Sequence, residues 1–382
     1  MQLNFFPYAR QFIDKADVDA VQKALQGELI TRGEQTEKFE QALAERFQAR
    51  FAVTFTSATT ALYAAFQAAD VSSFDRFVTT PNSFIATVAA GIRLGARPIF
   101  VDIDPTNGCM SNEALKKALS EPISRGRYIL APVHFSGIVQ DMEFANRLLK
   151  SPEAVIIEDA AHAIGSNYQD GSPVGSCRYS NMTVFSFHAI KTLTTGEGGA
   201  VTTNDEALYT RLLRIRNSGI ERSQEPWHYE IKELSGNYHM TEMQAALGLS
   251  QLAKLDQFIE KRKKIVSWYR NRLQGAKHIR LFSESSDASA CHHLMCLQID
   301  FEAIGKTRTE VMQQLKEQGI GSQYHYIPLY RHPAVQKVVS VNPEEFPAME
   351  RYYKEGLSIP LYYALEEKDV GYIVEKTLRA TS

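Results

Sequence analysis

The chain has little net charge and no long apolar run. Its 382 residues carry 42 lysines and arginines against 44 aspartates and glutamates, which leaves a net charge of −2. A balance this close to zero excludes a whole-protein field that would attract nucleic acid or an anionic membrane, so any anionic substrate must be held by local groups. No apolar run approaches the roughly 20 residues that span a bilayer, which predicts no membrane-spanning helix.

Cysteines are also few. Four are too few for a disulfide framework at this length and indicate a reduced, cytoplasmic setting. Residues 291–296, CHHLMC, superficially resemble a metal cluster. Strand alternation predicts His292 and His293 on opposite faces, and no second cluster completes four ligands, so we expect no metal site.

Several motifs of common protein classes are missing as well. The amino-terminal residues MQLNFFPYARQFID lack the basic stretch and apolar run that are typical of a signal peptide. A G-x-S-x-G nucleophile elbow is absent, which argues against a serine hydrolase of that type. The glycines and lysine of a P-loop are absent too.

Short apolar strands alternate with helices over the first half of the chain. The strands are predicted at Phe51–Thr56, Phe77–Thr80, Pro98–Val101, Tyr128–Pro132 and Ala154–Ile157. This alternation predicts a mostly parallel sheet with helices on both faces, in an α/β fold. Ligands of such sheets bind outside the carboxyl ends of the strands.

The pattern changes beyond Thr202. A polar loop is predicted at Ser218–Tyr238 and one long helix at Thr241–Arg272. An α+β pattern follows, with predicted strands at His292–Ile299 and Gln323–Tyr326 and predicted helices at Thr309–Gln318, Phe346–Leu357 and Glu366–Ala380. Because this length exceeds one hydrophobic core, we expect a large domain, residues 1–255, and a smaller α+β domain, residues 256–382.

Lys191 lies between an apolar stretch and a glycine-rich loop, in VFSFHAIKTLTTGEGGAVTTND, residues 184–205. A lysine is ordinarily a solvated surface charge, but residues 184–190 are too apolar for a solvated face. In a dry site the lysine amine is neutral part of the time, and it can then react with an aldehyde cofactor and move protons. The setting therefore favours a reactive lysine.

Asp159 follows the predicted strand Ala154–Ile157, about 30 residues before Lys191, within EDAAHAIGS, residues 158–166. An ionised carboxylate beside a pyridine nitrogen keeps that nitrogen protonated and makes the ring an electron sink; the alternative is a helix cap. His162 either contacts a cofactor ring or is a partly buried polar residue. A lysine and an acid at two strand ends are what pyridoxal phosphate requires.

The segment TSATTAL, residues 56–62, runs from a strand into a helix. Unpaired backbone N–H groups, the hydroxyls of Ser57 and Thr59 and the helix dipole would form an anion site, although taken singly the pattern is better explained by a simple N-cap serine. Ser186 would add a hydroxyl to the same phosphate.

These stretches resemble the sugar-nucleotide aminotransferases of the DegT/StrS group, which are fold-type-I pyridoxal-phosphate enzymes. The resemblance runs through nearly the whole chain and includes TTPNSFIAT (79–87), PIFVDID (98–104) and GNYHMTEMQAALGLSQL (236–252). It implies a mixed, mostly parallel seven-stranded sheet flanked by helices, with a smaller α+β domain at the carboxyl end.

The resemblance also implies roles for residues. Lys191 matches the lysine that bonds covalently to the cofactor, and Asp159 matches its partner at the pyridine nitrogen. The other positions that match cofactor contacts are His162, Phe84, Ser57, Ala58, Thr59, Ser186 and Asn237. The positions that match contacts to the sugar nucleotide are Tyr8, Glu28, Leu29, Ile30, Thr31, Ser57, Ser186, Asn237, Tyr324, His325, Tyr326 and Ile327.

Asn237 matches an asparagine that reaches the phosphate from the neighbouring subunit, which implies a homodimer with shared active sites. One departure follows it. Relatives commonly have N-[FY]-R, whereas this chain has Asn237-Tyr238-His239. Loss of that guanidinium removes a permanent positive charge and puts the nucleotide or sugar in question.

The implied reaction moves an amino group from L-glutamate to a keto sugar. FSFHAIK, TTGEGGAV, GLSQL and QYHYIPLY (323–330) most resemble the pseudaminic-acid branch, which aminates C4 of a UDP-linked 4-keto-6-deoxy-N-acetylhexosamine to give UDP-4-amino-4,6-dideoxy-N-acetyl-beta-L-altrosamine. The alternatives are a same-family aminotransferase for another keto sugar and a catalytically silent regulator with this fold. A dehydrating branch carries histidine in place of Lys191.

Overall fold

A seven-stranded sheet forms the centre of the molecule. In the computed structural model, which describes residues 5–120, 125–149, 151, 153–222, 225, 227–283 and 288–382, its order is β1-β7-β6-β5-β4-β2-β3. The strands are β1 (Phe51–Phe55), β2 (Arg76–Thr79), β3 (Arg97–Phe100), β4 (Tyr128–Ala131), β5 (Val155–Asp159), β6 (Met182–Ser186) and β7 (Gly199–Thr203). Six run parallel and β7 runs antiparallel, which confirms the predicted mixed α/β sheet.

Helices cover both faces of this sheet. They are α1 (Lys15–Leu25), α2 (Glu34–Phe47), α3 (Ala58–Ala68), α4 (Ile85–Arg93), α5 (Asn112–Leu119), α6 (Met142–Leu148), α7 (Glu206–Arg216) and α8 (Glu242–Leu252). Alternate residues of a strand enter opposite cores, as the two-residue period of a strand requires. Phe77 and Val184 pack in one core, and Val78 and Phe185 in the other. The central strands are buried on both faces, which explains their many apolar residues.

A second, three-stranded antiparallel sheet lies in the carboxyl-terminal third. It consists of β10 (Ile279–Leu281), β11 (Met295–Ile299) and β12 (Gly356–Ile359). The helices here are α9 (Leu255–Leu273), α10 (Arg308–Glu317), α11 (Pro333–Gln336), α12 (Pro347–Glu355) and α13 (Glu367–Ala380). A separate core joins Tyr269, Leu297, Val311 and Ile373. The predicted boundary between residues 255 and 256 falls at the start of α9 and stays a prediction.

Four local predictions were wrong. The predicted helix Thr241–Arg272 is two helices, α8 and α9, which are separated at Ala253 and Lys254. Ser218–Tyr238 is not all loop, because it contains the paired strands β8 (Ile220–Arg222) and β9 (Tyr229–Ile231); residues 223, 224 and 226 lie outside the described residues. Gln323–Tyr326 forms only an isolated bridge, from Gln323 to Ser358. The helix predicted to reach Leu357 ends at Glu355, because the following residues pair with β11.

The alternation argument for His292 and His293 also fails. Both residues precede β11 and both are buried, so they do not lie on opposite faces of a strand. The four cysteines are free and buried. In the described ranges, no group of three or more histidine, cysteine or acidic side chains could hold a metal ion, and no helix is long and apolar enough to cross a membrane.

Candidate active site

The carboxyl ends of β1, β5 and β6 meet at one edge of the sheet. Ser186 at the end of β6 pairs with Gly199 of β7, and Gly199 pairs with Phe55 at the end of β1. Asp159 at the end of β5 pairs with Val184. Ser57, Asp159 and Ser186, which were selected from separate stretches of sequence, therefore follow or end neighbouring strands at the same edge.

Asp159 is buried and firmly held. Its Oδ2 accepts a hydrogen bond from the Thr87 hydroxyl of α4 at 2.5 Å, and its Oδ1 accepts one from the Ala161 N–H at 3.0 Å. Its backbone N–H donates to the Pro132 carbonyl at 2.8 Å, and its carbonyl accepts from the His134 N–H at 3.1 Å. The carboxylate acts only as an acceptor here, as a residue facing a protonated ring nitrogen must.

Lys191 is partly buried in the loop after β6. Its backbone N–H donates to the His188 carbonyl at 2.9 Å, and its Nζ lies 3.4 Å from Nε2 of His293. Burial lowers the pKa of Lys191 from 10.5 to about 8; the Asp159 carboxylate opposes this shift and the Arg262 guanidinium adds to it. The amine is therefore neutral far more often at physiological pH than a solvated lysine.

His162 is buried beside Lys191. Its Nδ1 accepts a hydrogen bond from the Ser136 N–H at 3.3 Å, so in the neutral ring Nε2 carries the proton and donates to the Tyr326 hydroxyl at 3.1 Å. Burial, then the charges of Lys191 and His325, lower its pKa well below 6.5, so the ring is neutral. The His162 and Tyr326 rings are nearly parallel, 17° apart, with centroids separated by 6.1 Å.

Phe84 lies at the N-cap of α4 with 59% of its surface exposed. Its ring centroid is 6.5 Å from that of Tyr326. Aromatic rings of this kind stack on a planar ligand with little loss of side-chain entropy. The structure thus brings Phe84, Tyr326, His162 and Lys191 into one cluster, as predicted from widely separated segments.

The start of α3 presents the N–H groups and hydroxyls that an anion could bind. Ser57 is the N-cap, its Oγ accepts from the Thr60 N–H at 3.2 Å, and the Thr60 hydroxyl completes a capping box. The N–H groups of Ala58 and Thr59 are in the first turn, where no helical acceptor exists. Gly199 permits this packing, because a Cβ there would lie 2.6 Å from the Ala58 nitrogen. The glycine at the start of β7 therefore allows α3 to lie close to the sheet.

Tyr8 and His325 lie on the side of the candidate site that faces the smaller sheet. Their ring centroids are 5.5 Å apart, and Nδ1 of His325 lies 2.9 Å from the Ser358 hydroxyl of β12. Tyr324 points elsewhere: it stacks under the Arg308 guanidinium at 4.5 Å and contacts Tyr353 at 6.1 Å. Ile327 is half-buried. The substrate roles of these residues stay predictions.

The loop Glu28–Thr31 is exposed and is joined to α8. The Ile30 carbonyl accepts from the Glu242 N–H at 3.1 Å, and Thr31 bridges Thr241. The buried carboxylate of Glu242 accepts from the N–H groups of Gly33 at 3.0 Å, Gln35 at 2.7 Å and Thr36 at 3.3 Å, and from the Thr36 hydroxyl. The contacts of this loop are thus with α8 rather than with the Lys191 cluster of the same chain.

Asn237 is exposed and follows β9. It bridges Asn217, and its Oδ1 accepts from the His239 N–H at 3.3 Å. His239 directs Nε2 to Oδ1 of Asn217 at 3.2 Å. Burial, then the Arg216 and Arg32 guanidinium groups, lower the pKa of His239 to about 4, so it carries no charge at neutral pH. The histidine does not replace the charge of the arginine that relatives carry.

Three residues near the cluster were not predicted from the sequence as site residues. Thr87 lies one helical turn after Phe84 and fixes Asp159. His293, which sequence reasoning considered only as a metal ligand, contacts Lys191. Arg262 is a buried cation of α9. The spacing from Phe84, about one helical turn, could have indicated Thr87. His293 and Arg262 approach the cluster through tertiary packing alone.

The chemical groups of this site fit pyridoxal phosphate. Lys191 supplies an amine with a lowered pKa, Asp159 supplies an acceptor carboxylate, and the start of α3 supplies anion-binding N–H groups and hydroxyls. When bound, this cofactor supplies an aldehyde for amine exchange and an electron-accepting ring.

Comparison with known proteins agrees with this site. The sequence profile of the DegT/DnrJ/EryC1/StrS aminotransferase family matches residues 11–378. The spore coat polysaccharide biosynthesis protein SpsC of Bacillus subtilis is 32% identical over 97% of this chain and 96% of its own length. A UDP-4-amino-4,6-dideoxy-N-acetyl-beta-L-altrosamine transaminase of Campylobacter jejuni is 32% identical over 96% of this chain and 95% of its own.

Solved structures give the same result. Helicobacter pylori PseC, an aminotransferase involved in the biosynthesis of pseudoaminic acid, superposes with a TM-score of 0.91 at 28% identity, over 99% of both chains. The PLP form of Spr1654 from Streptococcus pneumoniae superposes with a TM-score of 0.88 at 27% identity, over 99% of this chain and 98% of its own. The chain therefore belongs to the DegT/DnrJ/EryC1/StrS aminotransferase family and is a pyridoxal-phosphate-dependent sugar-nucleotide transaminase.

Proposed function

We propose that this enzyme transfers the amino group of L-glutamate to C4 of a UDP-linked 4-keto-6-deoxy-N-acetylhexosamine. The products are 2-oxoglutarate and UDP-4-amino-4,6-dideoxy-N-acetyl-beta-L-altrosamine, an intermediate of pseudaminic acid biosynthesis. The observation that carries this choice is full-length similarity at 30–32% identity to three transaminases that bear this product's name. The lysine and carboxylate at the sheet edge supply the chemistry that the reaction needs.

In this proposal Lys191 is both the covalent anchor and the base that moves the proton between reacting carbon atoms. Its lowered pKa leaves a useful fraction of free amine at neutral pH, which a general base requires. Asp159 keeps the ring nitrogen protonated, and its bonds from Thr87 and Ala161 hold it in one orientation. Ser57, Ser186 and the N–H groups of Ala58 and Thr59 bind the phosphate.

His162 and Phe84 enclose the cofactor ring in the proposed complex. The neutral His162 ring adds no positive charge that would compete with the protonated ring nitrogen, and its proton is already engaged by Tyr326. In the proposed complex Tyr8, His325 and Tyr326 bind the sugar, and the contact between the Tyr8 and His325 rings supports this role.

We also propose a homodimer in which active sites are shared. Asn237 and the loop Glu28–Thr31 are exposed, and none of their hydrogen bonds within the described residues is to Lys191 or His162, which supports a role in a partner's site. Large apolar side chains are exposed on the same region of the chain, as an interface requires. They are Leu29, Ile30, Trp227, Tyr229, Ile231 and Leu234.

The experiment tests the identity of the sugar separately from the cofactor chemistry. The purified enzyme is converted to its amine form with L-glutamate, and 4-keto sugar nucleotides are then added one at a time while the visible band of the lysine-bound cofactor is followed. We expect the UDP-linked 4-keto-6-deoxy-N-acetylhexosamine to restore the band at the lowest concentration. Restoration by a different keto sugar nucleotide alone would contradict the sugar assignment. A protein that remains colourless with added cofactor would instead support a silent regulator.

A further inference from the structure

His293 lies between the reactive lysine and the small-domain helix α9. Its Nε2 is 3.4 Å from the Lys191 Nζ, and its ring centroid is 4.6 Å from that of His162. Its backbone N–H donates to the carbonyl of Ser136 at 2.7 Å, and the N–H of the same Ser136 donates to Nδ1 of His162. The side chain is 2% exposed. The position of the imidazole is therefore determined by its neighbours rather than by solvent.

Arg262 fixes His293 from the opposite side. Its Nη1 donates to the carbonyls of His292 at 3.2 Å, His293 at 3.5 Å and Leu361 at 3.4 Å. No carboxylate in the described part of the chain pairs with this guanidinium. Burial of a cation that has only carbonyl partners carries a desolvation cost. Here it anchors the His293 backbone and places a positive charge near Lys191.

The His293 ring is neutral. Burial lowers its pKa well below 6.5, and the charges of Lys191, His162, Arg262 and His325 lower it further. A neutral imidazole has one free lone pair, and the Lys191 ammonium offers the adjacent donor to Nε2. The proton of the ring is then on Nδ1, which is buried and has no protein partner in the described residues. The lysine contact to Nε2 favours this tautomer.

We propose that His293 is a positioning residue for Lys191, whose Nε2 accepts a hydrogen bond from the lysine amino group and holds it at the reaction edge of the sheet. Lys191 is on a loop, and its long side chain has many rotamers that do not point at the cofactor site. A rigid acceptor restricts the amine after it is released from the cofactor, when it must act as a base. The inference rests on the transaminase activity and not on the choice of sugar.

The experiment measures the titration of Lys191 in the cofactor-free protein, from the pH dependence of its acylation rate, followed by mass spectrometry. His293→Leu removes the acceptor and His293→Gln retains one. Because a hydrogen bond to a charged group stabilises the protonated amine, we expect Leu to shift the titration down by about one pH unit and Gln to restore most of the shift. In the loaded enzyme we expect His293→Leu to lower kcat roughly tenfold with little change in KM for glutamate.

Two further variants separate this role from a merely structural one. Arg262→Met should move the Lys191 titration in the opposite direction, because it removes a nearby positive charge. His332→Leu removes a histidine outside the cluster and should leave the titration unchanged. If His293→Leu does not fold, His293→Met is measured in its place. The proposal would be overturned if Lys191 titrated at the wild-type pH in the Leu or Met variant. It would also be overturned if the Gln variant showed the same downward shift as the Leu variant.

Discussion

The hydroxyl of Thr87 lies 2.5 Å from Oδ2 of Asp159, so a residue of α4 holds the carboxylate at the end of β5. The same hydroxyl lies 3.0 Å from that of Ser83, which precedes the N-cap of α4. The orientation of Asp159 is therefore set by two elements, β5 and α4. An aspartate at a strand end alone would retain rotational freedom.

Replacement of Thr87 by valine should weaken cofactor binding without unfolding the protein. Valine has the same shape but no hydroxyl, and a hydrogen bond to a charged group contributes about 1.5–3 kcal/mol. We expect the dissociation constant of pyridoxal phosphate to rise roughly tenfold or more. Thr87→Ser retains the hydroxyl and should bind nearly as well as wild type. Equal affinities of the valine and serine variants would show that the hydroxyl does not orient Asp159.

Much of this arrangement was accessible from the sequence. The alternation of short apolar strands and helices predicts the parallel sheet, and strand ends predict that Ser57, Asp159 and Ser186 share an edge. Local pattern cannot specify that the loop after β6 meets the segment before β11, which starts over 100 residues later. His293 was therefore missed, since only packing of the two sheets brings it to Lys191.

The errors in secondary structure have a similar origin. The helical pattern continues through Ala253 and Lys254, and the sequence there has no glycine or proline to end it. The break comes from tertiary demands: Lys254 pairs with Asp14 and Asp17 at 2.8 Å and 2.7 Å, which fixes the junction of α8 and α9 against α1. In the same way, the exposed β8–β9 pair is too polar for its alternation to be recognised.

Replacement of Lys191 by methionine should abolish turnover and stabilise the cofactor-free protein. Its pKa in the folded state is about 8 against an ordinary 10.5, so folding disfavours the charged form. That penalty is complete below pH 8, decreases as pH rises from 8 to 10.5 and vanishes above, because neither state is then charged. Given partial exposure of Lys191, we expect a gain of about 1–3 kcal/mol at pH 7.

Urea unfolding of the cofactor-free protein between pH 7 and pH 10.5 measures this gain. Lys277→Met makes the same substitution at an exposed lysine and serves as the control. It should change stability by less than about 0.5 kcal/mol at any pH. Retained turnover in Lys191→Met would contradict the assigned role of the lysine. A gain that does not diminish toward pH 10.5 would contradict the electrostatic explanation of the pKa.

A buried polar network under Asp159 should make stability sensitive to His134. The Gln140 N–H donates to Nδ1 of His134 at 3.2 Å, so Nε2 carries the proton and donates to Glu158 Oε2 at 2.7 Å. Burial acts to raise the pKa of Glu158, but this hydrogen bond and those from Ser180 and Tyr168 lower it below 4.5 overall. The carboxylate contribution is therefore present above pH 4.5 and is lost as pH falls through the lower folded value.

We expect His134→Leu to destabilise the protein by about 3–5 kcal/mol at pH 7, because it leaves a buried carboxylate short of a donor. The loss should be smaller near pH 4, where Glu158 in the variant is already protonated. Urea unfolding at both pH values measures this difference, and a double variant with Glu158→Gln should recover part of the stability. A loss that is equal at the two pH values would indicate packing rather than charge.

Glu242 should stabilise the loop Glu28–Thr31, which it contacts directly. Its carboxylate is the acceptor for three backbone N–H groups and one hydroxyl at the start of α2, and it is buried. Glu242→Ala leaves those donors unpaired, which should cost at least about 2 kcal/mol in urea unfolding. We also expect a higher KM for the sugar nucleotide with the glutamate half-reaction unchanged, because the loop Glu28–Thr31 loses its support. Glu45→Gln, on an exposed part of α2, serves as the control; an equal effect on both half-reactions would contradict a role confined to the loop.

Arg32 should supply the positive charge that His239 lacks. It follows the proposed substrate loop, is exposed, and has no ion-pair partner in the described part of the chain, while its charge helps to keep His239 neutral. We expect Arg32→Ala to raise KM for the UDP sugar roughly tenfold at low salt and less at high salt, since exposed charges are screened. Arg32→Lys should retain part of the affinity. Arg97→Ala removes an exposed arginine at the opposite edge of the sheet and should have no effect. A KM that responds to His239→Arg but not to Arg32→Ala would locate the nucleotide phosphates away from this loop.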